Sequence, residues 1–195
     1  EFEGSFSRGE PYQYNPLTKD ARTNGTLASL LGLQQALETN ESYKRIEAIR
    51  RINLAHALIL SYRGMPLIYS GDEIATINDQ SYLQDPAKRA EGRWVHRPIF
   101  DWKRAEKAKI PGTDEYEVYQ SLKQMIEIRK TLPLLDGQAT QFALDLNSPQ
   151  VYCLIRMHEG QSFFAMYNFS EFHQKINVEH LRLLLNSDRY TDQIQ

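Results

Sequence analysis

Met65-Pro66-Leu67-Ile68-Tyr69-Ser70-Gly71-Asp72-Glu73 is the stretch on which the reading of this chain turns. Leu67, Ile68 and Tyr69 are three consecutive apolar or aromatic positions. Such a run suits a strand covered on both faces, as in a parallel sheet, better than one with a wet face. Pro66 stands near the start, where its missing N–H does least harm to a strand. Gly71 allows a sharp exit, and two carboxylates follow at once. The spacing therefore predicts a strand over 65–70 with Asp72 and Glu73 at its carboxyl end, where α/β proteins gather their chemistry. The nine residues fit equally a plain core strand followed by a solvated acidic turn.

Outward from this stretch, the chain breaks into two styles. Residues 1–25 are punctuated by Gly4, Gly9, Pro11, Pro16 and Gly25 and read as an ordered loop pinned by Phe2, Phe6, Tyr12 and Tyr14. Leucines at 27, 30, 31 and 37 predict a helix over 26–39, and Ile46, Ile49, Ile52, Ala55 and Ile59 a longer one over 42–62. His56 lies beside that second stripe and reads as a buried, satisfied histidine. Residues 74–113 have no clean period and are rich in charges and aromatics. A helix follows from Thr113 to about Thr131, with Asp114, Glu115 and Glu117 at its favourable end. Beyond Pro133 the period becomes alternating, predicting strands around 138–146, 150–157, 162–169 and 174–178. The boundary is placed there: 1–132 as one region and 133–195 as a β module.

The totals exclude several classes. The 195 residues are 41% hydrophobic and 25% charged, an ordinary globular composition. A net charge of −2 offers no electrostatic footing for nucleic acid or an anionic membrane. The lone Cys153 rules out an internal disulfide and reads as a small buried hydrophobe. No apolar run approaches the roughly 20 residues of a membrane span. No targeting signal is visible, and both a cytoplasmic and a secreted bacterial protein are compatible with the sequence.

Four stretches resemble one family. Gly4–Pro16, GSFSRGEPYQYNP, is similar to the loop domain that amylosucrases of the α-amylase superfamily insert after the seventh barrel strand. Met65–Asp79, MPLIYSGDEIATIND, resembles their eighth strand and the loop leaving it. Leu83–Pro98, LQDPAKRAEGRWVHRP, resembles the loop that brings an arginine to the glucose pocket. Met166–Glu171, MYNFSE, resembles the middle of their β domain. Ala75 departs from the pattern, since the family usually has glycine there. The family's β domain also continues for further strands.

The resemblance implies a fold and a function. The fold is α/β then all-β: the C-terminal part of a (β/α)8 barrel with an inserted loop segment, followed by an antiparallel β-sandwich domain. The parent would cleave sucrose through a glucosyl-enzyme intermediate and pass glucose to an α-1,4-glucan, with no metal or organic cofactor. The family's nucleophile, acid/base and stabilising aspartate match positions before residue 1. The chain is thus expected to be an inactive C-terminal fragment, with no catalytic residue of its own. Arg93 matches the pocket arginine, which in the family pairs with an upstream aspartate. Arg22 matches an arginine facing the fructosyl or acceptor sugar, and Gln13 an acceptor-side glutamine. Asp72 stands where it can support the pocket floor. His96 and Arg97 acquire no role. Sucrose and α-glucan are the expected partners. A barrel cut before its last strand would bare the faces of residues 26–70, which implies self-association. A related sucrose phosphorylase or α-glucosidase, or a non-catalytic carbohydrate-binding protein, fits the same residues.

Overall fold

The computed structural model describes residues 4–177, 179, 182 and 190–194. They comprise helices and two small antiparallel sheets, and divide into two compact units: Glu1–Ala55 with Ile68–Leu122, and His56–Leu67 with Lys123–Gln195.

The first unit begins with a hairpin. Strands β1 (Glu10–Asn15) and β2 (Asp20–Asn24) pair antiparallel, Tyr12 opposite Arg22, with a bulge between Tyr12 and Asn15. The stretch read as loop is therefore a paired ribbon. Its ribbon character is hidden in the sequence because the aromatic alternation is only two residues long, Tyr12 and Tyr14, and is interrupted by the bulge at Gln13. Two short helices follow, α1 (Leu27–Leu30) and α2 (Leu33–Thr39), in place of the single helix expected over 26–39. Gly32 separates them at φ 101°, a left-handed conformation that ends a helix. Thr26 caps α1 by accepting from the Ser29 N–H. Helix α3 (Ser42–Ser61) then brings Ala48 and Ile52 into a core with Ala28, Leu33, Ala75 and Val118.

The rest of this unit is built from three 3-10 turns, Asp72–Ile74, Ser81–Gln84 and Gly92–His96, and helix α4 (Trp102–Lys107). Helix α5 (Asp114–Thr131) starts on two carboxylates with arginine partners. Asp114 pairs with Arg45 at 2.8 Å, and Glu115 with Arg104 at 2.8 Å. Both are charged groups at a helix start, where the peptide dipoles favour anions.

Residues 65–70 form no strand, contrary to the strand that their composition predicts. A strand exists only beside a partner, and neither sheet among the described residues extends to it. Met65 is 96% and Leu67 82% exposed, so the run read as covered on both faces is open.

The second unit is organised on β4. Strands β3 (Thr140–Leu144), β4 (Val151–His158) and β5 (Gln161–Asn168) form a meander in the order β3-β4-β5. Glu159 and Gly160 both have positive φ, the geometry of a tight two-residue hairpin turn. Residues 153–156 of β4 are all buried, so the strand is covered on both faces. Cys153 and Ile155 pack with Leu146, Leu144, Val151 and Phe164 on one. Arg156 belongs to the other, where it donates to the Ser61 carbonyl at 3.0 Å and to the Asp136 carbonyl. Tyr167 donates to the Ala57 carbonyl at 3.2 Å and to the Ser61 hydroxyl. Arg129 closes the end of α3 by donating to the carbonyls of Leu60, Tyr62 and Gly64. Residues 174–177 are in no strand, and 178 lies outside the described residues. One three-stranded sheet is described, without the second sheet of a sandwich.

His56 is fully buried, but neither ring nitrogen has a partner among the described residues, so it is not the satisfied histidine expected. The Ser61 hydroxyl of the same helix is already spent on Tyr167 and the Leu58 carbonyl. Burial pulls the His56 pKa from 6.5 down to about 4. The unfolded chain takes up a proton near pH 6.5 that the folded chain refuses until about 4. Stability is thus full above pH 6.5 and is lost as the pH falls from 6.5 to 4, by about 3 kcal/mol. Labelling of the buried Cys153 by a thiol reagent measures opening of this unit. Its protection is expected to fall across that window, and His56→Leu is expected to flatten the profile.

Candidate functional site

Arg93 stands on the Gly92–His96 turn, and Glu91 is the N-cap of that turn. The Glu91 carboxylate accepts from the Arg93 backbone N–H at 3.1 Å, from Nε at 2.8 Å and from Nη2 at 2.5 Å. The guanidinium is thereby held as a fork on one carboxylate. The Arg93 side chain holds the Glu91 carboxyl down at about 2, and Glu91 raises the Arg93 pKa in turn. The partner is therefore two residues away in sequence, and the structure supplies it locally. Arg93 remains exposed and lies over the Tyr12 ring, 5.6 Å from its centroid.

Tyr12 brings in a second predicted residue. Arg22 is its direct partner across the hairpin, so both side chains leave the same face of the ribbon. Arg93 thus comes together with Tyr12 and Arg22 of the hairpin from a distant part of the chain. Gln13 does not join them by any hydrogen bond among the described residues. It sits exposed in the bulge at φ 52°, a left-handed backbone that re-aims its side chain relative to regular alternation.

The hairpin is fastened to the loop after Ala75. The Glu10 carboxylate accepts from the Tyr82 hydroxyl at 2.8 Å and from Gln80 Nε2 at 2.6 Å. Burial, helped by Glu10, pushes the Tyr82 pKa up to about 12. Asn78 donates through Nδ2 to the Arg8 carbonyl at 2.7 Å and accepts at Oδ1 from the Thr26 N–H at 2.8 Å. The Asp79 N–H donates to the Val95 carbonyl at 2.9 Å, tying the same loop to the Arg93 turn.

Asp72 is linked to that turn through Tyr69. Its N–H donates to the Tyr69 carbonyl at 3.0 Å, and the Tyr69 ring meets His96 edge-on with centroids 6.1 Å apart. Burial raises the Asp72 pKa to about 6, and the neighbouring Glu73 adds to the rise. Glu73 instead accepts from the Gly71 N–H at 2.7 Å, fixing the turn. Gly71 is at φ 101°, and a Cβ there would meet Thr76 Oγ1 at 2.8 Å. Ala75, the departure from the family pattern, is at φ 51°, a conformation that glycine adopts more readily.

The sequence singled out Arg93, Arg22, Gln13 and Asp72 but not Tyr12, Glu91, Tyr69 or His96. An acid two residues before an arginine is too common a spacing to signal a clamp. Among the described residues no group of three or more His, Cys, Asp or Glu could hold a metal ion. The site is an exposed, cation-bearing aromatic surface. It can hydrogen-bond and stack.

No family model matches the chain. Among solved structures it is similar to the trehalulose synthase MutB from Pseudomonas mesoacidophila MX-45, at 18% identity and a TM-score of 0.45, over 60% of this chain and 29% of that one. An inactive MutB double mutant in complex with isomaltulose gives 17% identity and a TM-score of 0.43, over 61% of this chain and 30% of that one. The chain spans about 30% of the length of the structures it matches.

Proposed function

We propose that the chain contributes a saccharide-binding surface to a sucrose-acting, glucosyl-transferring enzyme resembling the amylosucrases. The observation that carries this reading is the convergence of Arg93 and Tyr12, from two of the separate stretches that resemble that family, with Arg22, which pairs with Tyr12 across the hairpin. A clamped guanidinium offers N–H groups in fixed directions to sugar oxygens. An aromatic ring beside it offers an apolar face to sugar C–H groups. In this reading Arg93 contacts the glucosyl side, Arg22 and Gln13 the fructosyl or acceptor side, and Asp72 steadies the floor. The parent would transfer glucose to an α-1,4-glucan, residues 1–132 belonging to its barrel and 133–195 to its β domain.

Retaining transfer needs two carboxyl groups about 5–5.5 Å apart, and the resemblance assigns both to positions before residue 1. The chain alone is therefore expected to release fructose from sucrose no faster than buffer does. It is expected to bind saccharide all the same. Calorimetric titration with sucrose and with maltotriose, repeated on Arg93→Ala, tests this. Loss of a charge-assisted hydrogen bond should weaken binding by about tenfold or more. Equal affinity of the variant, or fructose release that depends on the chain, contradicts the reading.

A further inference from the structure

His96 ends the 3-10 turn that carries Arg93. Three residues complete one turn of a 3-10 helix, so side chains at i and i+3 are eclipsed. His96 and Arg93 therefore leave the turn on one side. His96 is also the residue that meets Tyr69, whose carbonyl holds the Asp72 N–H. The turn so touches the approach to Asp72 through His96, and the Tyr12–Arg22 hairpin through Arg93.

The imidazole is divided between two environments. Nδ1 is buried and has no partner among the described residues, whereas Nε2 is not enclosed. Burial, with Arg97 and Arg93 beside it, holds the ring below its ordinary value of 6.5, so it is neutral at pH 7. A cationic ligand would be repelled by the two arginines. An anion would compete with Glu91, which already occupies the Arg93 fork. A hydroxyl meets neither obstacle. It both donates and accepts, so it pairs with Nε2 in either tautomer of the ring.

We propose that His96 is a specificity-determining saccharide contact, its Nε2 hydrogen-bonded to one sugar hydroxyl while a neighbouring hydroxyl lies at Arg93. This rests on the saccharide-binding reading above. Two substitutions separate contact from packing. His96→Phe keeps a ring against Tyr69 and removes Nε2. His96→Gln restores a polar group that can reach a hydroxyl.

The test is nitrogen NMR of the 195-residue chain titrated with maltotriose and with sucrose, alongside calorimetry of both variants. The His96 Nε2 resonance is expected to move together with Arg93 Nε. His96→Phe is expected to bind about three- to tenfold more weakly, and His96→Gln to recover part of the loss. Unchanged affinity of His96→Phe, or a moving Arg93 with a still His96, overturns the proposal and leaves the saccharide surface standing. If neither residue responds to either sugar, both fall. Should His96→Phe fail to fold, the wild-type Nε2 response decides alone.

Discussion

Arg156→Leu is expected to destabilise the β4 unit by about 2–5 kcal/mol. The side chain is fully buried, and its two terminal nitrogens satisfy the carbonyls of Ser61 and Asp136. Ser61 is the last residue of α3, where helix carbonyls lack intrahelical donors. Leucine would leave the buried Ser61 carbonyl without a donor, at about 1–3 kcal/mol, and would also remove the donor from the part-buried Asp136 carbonyl. A countervailing gain exists. Burial and the nearby Arg129 and Arg63 already press the Arg156 pKa down, so removing its charge relieves some repulsion. We expect the lost hydrogen bonds to win, because a leucine can satisfy neither carbonyl. Arg156→Lys keeps the charge but not the fork and should fall between. Urea-dependent labelling of Cys153 is the measurement. Both tryptophans, Trp94 and Trp102, lie in the other unit, so their fluorescence should barely change.

Asn78→Ala is expected to cost the first unit about 2–4 kcal/mol and to loosen the β1–β2 hairpin. One amide links the carbonyl of Arg8 to the N–H of Thr26, on either side of the hairpin. Alanine removes both bonds and leaves both backbone groups partly buried. The Asn78 N–H, which donates to Ser29 Oγ at 2.8 Å, is retained. The consequence reaches the site, because the hairpin carries Tyr12 and Arg22 while Arg93 sits on a different element. Amide exchange in residues 10–24 should quicken strongly, and saccharide affinity should drop as it does for Arg93→Ala. Unchanged exchange would mean that Glu10, through Tyr82 and Gln80, holds the hairpin alone.

These cases mark what the residue pattern could carry. Helices α3 and α5 were legible because their apolar stripes repeat at helical spacing. Strands β3, β4 and β5 were legible because alternation and the Glu159-Gly160 turn are local signals. The hairpin was not, since its alternation is short and broken by a bulge, and it is docked by side-chain bonds to residues 80–82. Residues 65–70 mislead for the opposite reason: their composition is that of a strand, but composition cannot provide a neighbour to pair with. For the site, family resemblance singled out Arg93 and Arg22. Neither periodicity nor resemblance disclosed that Glu91 clamps the guanidinium or that Tyr12 lies beneath it.

The central claim is that Arg93 and Arg22 line one surface that takes a sugar. It is tested most directly by following arginine side-chain Nε–H signals while sucrose or maltotriose is added. The account predicts that Arg93 and Arg22 shift together with a single saturation curve, while Arg63 and Arg129 stay still. Motionless Arg93 and Arg22 signals at saturating sugar, or equal shifts in all four arginines, would contradict it.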